Sequence, residues 1–283
     1  MEINALDKIS PDELFIAFDE AFKGYDSSWN REQFDKMLVR CGFVAKLSYG
    51  AFDDGKLVSF TFNCTGKFNG IPTAYDTGTG TIAAWRGKGL ATKIFDKSLP
   101  GLKKAGVAQY ILEVLQHNTK AVSVYAKIGF STTREFNYFV QNTNEIKLNS
   151  KPLLPKYELR ETDFSEKETM MQMWDSKPSW QNAFEALSGN TTNFKVIGGY
   201  HKGQLIGYGI IEPASGDIPQ LAVAKPHRRN GIGSAILKTL LDSNQYPTAK
   251  VINTETTNIA VTEFLKSHNF PIKGMQFGMA KKI

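Results

Sequence analysis

The chain repeats itself, and that repeat limits its fold more than any other feature of the sequence. A glycine-bearing turn at Arg86–Gly89 recurs 142 positions later at Arg228–Gly231. A strand-like run precedes each turn, and a stretch with helical apolar periodicity follows it. The stretch Asn118–Phe130 likewise recurs at Asn258–Phe270, with an offset of 140 positions. Two matched anchors in the same order and at nearly the same offset indicate two copies of one domain.

The length of the chain agrees with a duplication. Its 283 residues are about twice the usual length of one domain, which is roughly 100–200 residues. Pro152 and Pro155 stiffen the backbone between the copies, as is common in linkers. The sequence therefore predicts a first domain at 1–148, a linker at 149–156 and a second domain at 157–283.

Each half reads as paired strands followed by strand, helix, strand and helix. Ser10 begins a capping box, Asp54-Gly55 predicts a tight turn between strands, and Ser165 with Glu168 predicts a capped helix that reaches Trp174. This order predicts two mixed α/β domains, each with a central mixed sheet flanked by helices. After the turns, helix, strand and helix are predicted at 90–104, 109–115 and 119–128, and again at 231–241, 249–254 and 259–267.

Charge and cysteine content narrow the partners and the compartment. The net charge is +6 and the pI about 9.1, but the basic residues are scattered, so a polyanionic cofactor is expected and nucleic acid is not. No apolar run approaches the roughly 20 residues of a membrane span, and the N-terminus lacks a leader pattern, so we expect no membrane partner and a cytoplasmic protein. Cys41 and Cys64 predict two reduced thiols, with neither a disulfide framework nor a metal site.

The glycine turns have the chemistry of a phosphate site. Glycine lets the backbone turn sharply and approach a ligand closely. The following helix directs unpaired N–H groups and the positive end of its dipole toward that ligand. Neither copy has the Gly-Lys-Ser/Thr of a nucleotide-triphosphatase loop or the three glycines of a dinucleotide fingerprint.

Both turns match Arg-x-x-Gly-x-Gly/Ala, and through them the chain resembles the GNAT acetyltransferase superfamily. The resemblance is clearest at 73–130 and 218–270. It implies that the turns bind the pyrophosphate of acetyl-CoA, which serves as co-substrate. The residues that carry this implied role are Arg86, Gly87, Lys88, Gly89, Leu90 and Ala91 in the first copy, and Arg228, Arg229, Asn230, Gly231, Ile232 and Gly233 in the second.

A second motif separates the two copies. Asn118, Ala121, Tyr125 and Gly129-Phe130 are similar to the family pattern Asn-x-x-Ala-x-x-x-Tyr-x-x-x-Gly-Phe. The resemblance places the Asn beside the pantetheine arm and the Tyr near the sulfur, where it acts as a general acid toward the thiolate. Leu265 stands in the tyrosine position of the second copy. We therefore expect the first domain to carry the chemistry, while the second binds another CoA or shapes the substrate cleft.

The resemblance implies direct attack of an amine on the thioester, helped by an N–H of the strand before the turn. Asp76, at the start of that strand, is the first candidate for a general base, and Glu113 on the next strand is the second. Glu212 and Asp217 are the corresponding candidates in the second copy. The glycines at 78 and 80 indicate either close approach to substrate or a bulge.

The sequence thus predicts an N-acetyltransferase that acts on a primary amine, expected to belong to a small molecule. A non-catalytic acyl-CoA-binding or regulatory protein is the alternative, and modification of protein amines is a third interpretation. Exposed edge strands make a homodimer possible.

Overall fold

The computed structural model of the protein describes residues 1–24, 29–148 and 153–283. The chain divides into two compact units, Met1–Arg134 with Phe277–Ile283, and Glu135–Gln276. The division therefore precedes the linker expected at 149–156, of which residues 149–152 lie outside the described residues. The sequence interpretation also gave the C-terminal residues to the second domain, whereas seven of them belong to the first unit.

The first unit follows the predicted order of strands and helices. The helices and strand after its glycine turn have the predicted bounds. Its elements are β1 (Glu2–Ala5), α1 (Pro11–Phe22), α2 (Arg31–Cys41), β2 (Tyr49–Asp53), β3 (Lys56–Phe68), β4 (Ile71–Thr81), α3 (Leu90–Lys104), β5 (Gln109–Leu115) and α4 (Thr119–Ile128), followed by the start of β6 (Ser131–Asn142).

Local sequence signals explain several of these bounds. Ser10 accepts the N–H of Glu13 and forms the predicted capping box at the start of α1. Asp54 and Gly55 both have positive φ, 46° and 78°, as the two-residue turn between β2 and β3 requires. One 3₁₀ turn, Ala45–Leu47, precedes β2, which starts at Tyr49.

Strands β4 and β5 pair over a short stretch and then separate, which leaves an opening in the sheet of this unit. The sheet order is β1-β2-β3-β4-β5, and only β4 and β5 are parallel among these neighbours. Their paired register runs from Thr73 opposite Gln109 to Asp76 opposite Leu112. Residue 77 is the extra residue of a bulge in β4, because Asp76 and Gly78 face consecutive residues of β3. The bulge coincides with the point where β4 and β5 separate.

The expectation of two reduced thiols is wrong, because a disulfide joins Cys41 and Cys64. Cys41 ends α2 and Cys64 lies in β3, where it forms a bridge with Phe43. The turn at Gly42 (φ 78°) brings the two Cα atoms to 5.7 Å, within disulfide range. Sequence spacing alone did not reveal this contact because it depends on how α2 packs on the sheet.

The second unit repeats the plan with shorter helices at its start. After the remainder of β6 it contains β7 (Tyr157–Thr162), α5 (Lys167–Met171), α6 (Phe184–Leu187), β8 (Lys195–His201), β9 (Gln204–Glu212), β10 (Asp217–Val223), α7 (Ile232–Asp242), β11 (Thr248–Glu255), α8 (Ile259–Ser267) and β12 (Ile272–Lys282). The predicted capping box of Ser165 is wrong: the N–H of Ser165 donates to Asp163, and α5 ends at Met171, short of Trp174.

The sheet of the second unit runs β11-β10-β9-β8-β7. Strands β10 and β11 are parallel and share one registered pair, Asp217 opposite Lys250. This matches the brief pairing of β4 with β5, so both copies separate their two central parallel strands. Within the described residues, no helix is long and apolar enough to cross a membrane.

The C-terminal end of β12 completes the first unit. Thr133 Oγ1 donates to the carbonyl of Gly278, and the N–H of Ile283 donates to the carbonyl of Ala108. Met279 is 3% exposed and packs in an apolar cluster with Tyr110 of β5. These contacts explain why the last seven residues belong with residues far upstream.

Candidate functional site

The first glycine turn is braced by its own arginine. The Arg86 guanidinium donates to the carbonyls of Thr81 (3.0 Å) and Ala21 (2.8 Å). Gly87 and Gly89 have φ of 78° and 71°, a conformation that favours glycine. Arg86 therefore holds the shape of the turn through backbone contacts.

The turn delivers an open helix start. Gly89 is the N-cap of α3, and no described side chain caps that helix. The turn residues Arg86–Gly89 are exposed, and the first N–H groups of α3, which follow them, carry the positive end of the helix dipole. Lys88 is exposed, with its Nζ 4.0 Å from the centre of the Trp85 ring. Together these groups can attract and bind a diphosphate.

The second turn is built in the same way. Arg228 Nε donates to the carbonyl of Val223 (2.7 Å), the same five-residue step back that Arg86 makes to Thr81. Arg228 also pairs with Asp175 at 2.8 Å. Gly231, with φ of 81°, is the N-cap of α7, and no described side chain caps this helix either. The sequence therefore identified two equivalent turns correctly at the level of backbone geometry.

The structure brings the two catalytic candidates of the first unit together. Asp76 Oδ2 accepts from Tyr125 Oη at 3.2 Å and from Thr79 Oγ1 at 2.7 Å, and its Oδ1 accepts from the N–H of Gly78 at 2.9 Å. Asp76 is 8% exposed. Burial raises its pKa to about 6, although the hydrogen bonds from Thr79, Tyr125 and Gly78 lower it.

This pair faces a small cavity where β4 and β5 separate. Thr61 extends the polar wall, since its hydroxyl lies 2.9 Å from that of Thr79. Aromatic and aliphatic groups form the remaining wall. The lining residues are Thr61, Asp76, Thr79, Ala91, Phe95, Tyr110, Tyr125, Ile128 and Phe130.

Other predicted residues have structural partners. Asn118 Oδ1 accepts the N–H of Ala121 at 3.2 Å and caps α4. Glu113 Oε2 accepts from Tyr75 Oη at 2.5 Å. The two glycines of β4 differ: Gly78 follows the bulge, whereas a Cβ at Gly80 would lie 2.5 Å from the Phe60 ring. Gly80 therefore permits core packing behind the site.

Within the described residues of the second unit, the position that matches Tyr125 holds no acid. Leu265 is fully buried in the apolar core of that unit, and its side chain has no proton to donate. Glu212 Oε2 accepts from Ser215 Oγ at 2.5 Å, and Asp217 is 2% exposed.

Sequence reasoning missed Thr61 and Thr79. Both are ordinary strand residues that face the site only because β3 and β4 pair in this register, with Thr61 opposite Thr79. Strict alternation would place Thr79 on the face opposite Asp76, and only the bulge at residue 77 brings the two side chains to the same face.

Comparisons with known proteins agree with this architecture. The sequence model of the Acetyltransferase (GNAT) family matches residues 13–130, and that of the Acetyltransferase (GNAT) domain matches residues 193–271. N-alpha-acetyltransferase 30 of Schizosaccharomyces pombe is 33% identical over 64 residues, which are 22% of this chain and 43% of that protein. The chain thus spans less than half the length of this curated relative.

Solved structures show the same tandem fold. A tandem GNAT protein from the clavulanic acid biosynthesis pathway, without AcCoA, has a TM-score of 0.76 at 12% identity, covering 99% of this chain and 98% of that one. A GCN5-related N-acetyltransferase from Sphaerobacter thermophilus has a TM-score of 0.75 at 12% identity, covering 99% and 95%. With one family match in each unit, the chain belongs to the GNAT acetyltransferase superfamily, a family of acyltransferases, as a tandem member.

Proposed function

We propose that this protein is an N-acetyltransferase that moves an acetyl group from acetyl-CoA to a primary amine of a small molecule. The chemistry belongs to the first unit. The observation that carries the proposal is the contact between Tyr125 and Asp76 at the opening between β4 and β5. β4 leads from this opening directly into the turn at the start of α3, so one strand connects the reactive pair with the diphosphate site.

The residues present suit the proposed cofactor. The N–H groups at the start of α3 and the ammonium of Lys88 bind the diphosphate. Acetyl-CoA supplies the activated thioester when it is bound. The opening where the pairing of β4 and β5 ends would hold its arm.

Tyr125 is the proposed general acid. The neutral amine attacks the thioester carbonyl, so a C–N bond forms and the C–S bond breaks. The hydroxyl of Tyr125 turns from Asp76 to the departing thiolate, which takes the phenolic proton. The nitrogen loses one proton to solvent, and solvent returns a proton to the Tyr125 phenolate. Asp76 is the positioning residue for Tyr125, because its carboxylate accepts the tyrosine hydroxyl and is itself fixed by Thr79 and Gly78.

Two other interpretations compete with this one. A protein amine is the alternative acceptor, and the partial likeness to N-alpha-acetyltransferase 30 favours it. Mixed surface charge favours a small polar amine over a long basic tail. A non-catalytic acyl-CoA-binding protein is the second alternative, which the Tyr125–Asp76 contact disfavours.

The test is release of free CoA from acetyl-CoA, measured with a thiol reagent over a panel of small amines and short peptides. We expect one class of small amine to accelerate release, and Tyr125→Phe to lower kcat about 100-fold, as loss of a general acid does. Tyr246→Phe is the matched control, since Tyr246 is exposed and does not line the cavity. Acceleration by peptides alone would move the acceptor to protein amines, and no acceleration by any amine would favour the non-catalytic alternative.

A further inference from the structure

We infer that the second unit cannot accept the acyl-pantetheine arm, so that the chain binds a single acyl-CoA, in the first unit. This inference rests on the proposed function. Its basis is a short segment at 179–182, which fills the opening between β10 and β11.

One asparagine spans the gap between the two strands. Gln220 of β10 donates through Nε2 to the main-chain carbonyl of Asn182 at 2.6 Å. Asn182 in turn donates through Nδ2 to the main-chain carbonyl of Ile252 in β11 at 2.9 Å. The segment thus bridges the two strands, through a side chain of β10 and a main-chain carbonyl of β11.

Neighbouring groups hold this segment in place. Asn253 of β11 donates to Ser179 Oγ at 3.0 Å. Ser179 is 1% exposed and Asn182 3% exposed, so the segment is part of the interior. Gln220 is also fixed from the other side, because Tyr208 Oη donates to its Oε1 at 2.6 Å. A ligand would have to displace several buried hydrogen bonds at once.

The matching position of the first unit is different. Gln220 stands 142 positions after Gly78, the same offset that relates the two glycine turns. Where Gln220 reaches out to the segment, Gly78 has no side chain, and a Cβ built there would meet only Phe62, at 3.7 Å. In the first unit, the neighbouring residues Asp76 and Thr79 of β4 line the cavity with Tyr125, while Gly78 itself is not part of its lining. The duplicated domains have therefore diverged at the cofactor arm while keeping the turn.

The turn of the second unit retains a structural role. Its Arg228 is paired with Asp175 and with the carbonyl of Val223, and these contacts need no ligand. Preservation of the turn is therefore compatible with loss of the arm site. The Arg-x-x-Gly-x-Gly motif alone does not distinguish a turn that binds acyl-CoA from a turn that is kept for its structural role.

The test is calorimetric titration of acetyl-CoA into the full chain, with Gly89→Asp and Gly89→Asn as matched variants. Asp and Asn tolerate the positive φ of Gly89 (71°) better than other side chains do, and a Cβ there meets no atom within 4 Å. The Asp carboxylate repels the diphosphate, whereas Asn has a similar size without the charge. We expect one site in the wild type, binding at least 10-fold weaker in Gly89→Asp, and a smaller loss in Gly89→Asn.

Hydrogen exchange of the wild type with acetyl-CoA present locates the binding site independently, and this measurement does not depend on whether the variants fold. We expect protection at residues 87–93 and none at 229–235. Two sites in the wild type, or protection at 229–235, would overturn the inference while leaving the transferase proposal intact. Absence of any binding would overturn the proposed function and this inference with it.

Discussion

Asp76 shows how a single residue can be singled out from the sequence while its contacts remain hidden until the fold is known. The sequence put this carboxylate beside the glycine turn as a candidate base. The structure supplies three donors to its two oxygens, one of which is the hydroxyl of the proposed acid Tyr125. A carboxylate engaged in this way orients Tyr125, and its burial makes its ionisation costly.

The raised pKa of Asp76 predicts a pH dependence of stability that Asp76→Asn removes. The pKa is about 6 in the folded protein and about 3.9 in an unfolded chain. Between these values the folded state binds more protons than the unfolded state, so the free energy of unfolding falls as pH rises from about 4 to 6. A difference of about 2 pKa units corresponds to roughly 3 kcal/mol.

Urea unfolding of wild type and Asp76→Asn across this pH range measures the effect. Other titrating groups act equally in both proteins, so the difference between the two curves isolates Asp76. We expect the wild type to lose roughly 3 kcal/mol relative to the variant as pH rises to 7. A difference that stays constant with pH would show that Asp76 titrates normally.

At the scale of elements, prediction succeeded where local chemistry fixes the ends. The ranges at 90–104, 109–115 and 119–128 agree with α3, β5 and α4, because Gly89, Gly106 and Gly129 interrupt the pattern at positive φ. Strands β6 and β12 were not predicted. The strands that pair with them lie far away in the sequence, and no hairpin-turn motif in the sequence indicates the pairing.

The disulfide is another element-scale feature that the sequence interpretation got wrong, and it predicts a redox dependence of stability. It joins the end of α2 to β3 across a sequence separation of 23 residues. Closing a loop of that length stabilises a protein by about 3 kcal/mol in the chain-entropy account. We expect reductant to lower the free energy of unfolding of the wild type by about that amount.

The double variant Cys41→Ala/Cys64→Ala provides the control for this measurement. Reductant should leave its urea unfolding curve unchanged, and thiol titration of the unfolded, unreduced wild type should find no free thiol. Two reactive thiols in that titration would show that the protein exists in the reduced form, as the sequence interpretation expected.

For the whole molecule, the repeat predicted two domains but not which residues complete each one. Sequence similarity locates the matched motifs, and the motifs end near Phe130 and Phe270. The strands after those points are assigned by packing. Met279 is buried with Phe95, Tyr110 and Phe130, so the sheet of the first unit is completed by residues that a linear division gives to the second.

Because Phe277–Ile283 belong to the first unit, we expect deletion of these residues to unfold the first unit selectively. The deletion removes the buried side chain of Met279 and the hydrogen bonds to Thr133 and Ala108. Loss of a buried Met side chain alone costs about 2–5 kcal/mol, a large part of the stability of a domain.

Native-state hydrogen exchange can locate the loss. We expect the amides of Tyr110 and Leu112 in β5 to lose protection, while those of Ile236 and Leu237 in α7 keep it. Met279→Ala should reproduce part of the effect, and Met171→Ala, at an exposed position of the second unit, should not. Because Phe95, Tyr110 and Phe130 also line the cavity with Tyr125, the truncated chain should lose transferase activity in parallel. Retained protection in β5 would mean that the first unit folds without the C-terminal strand.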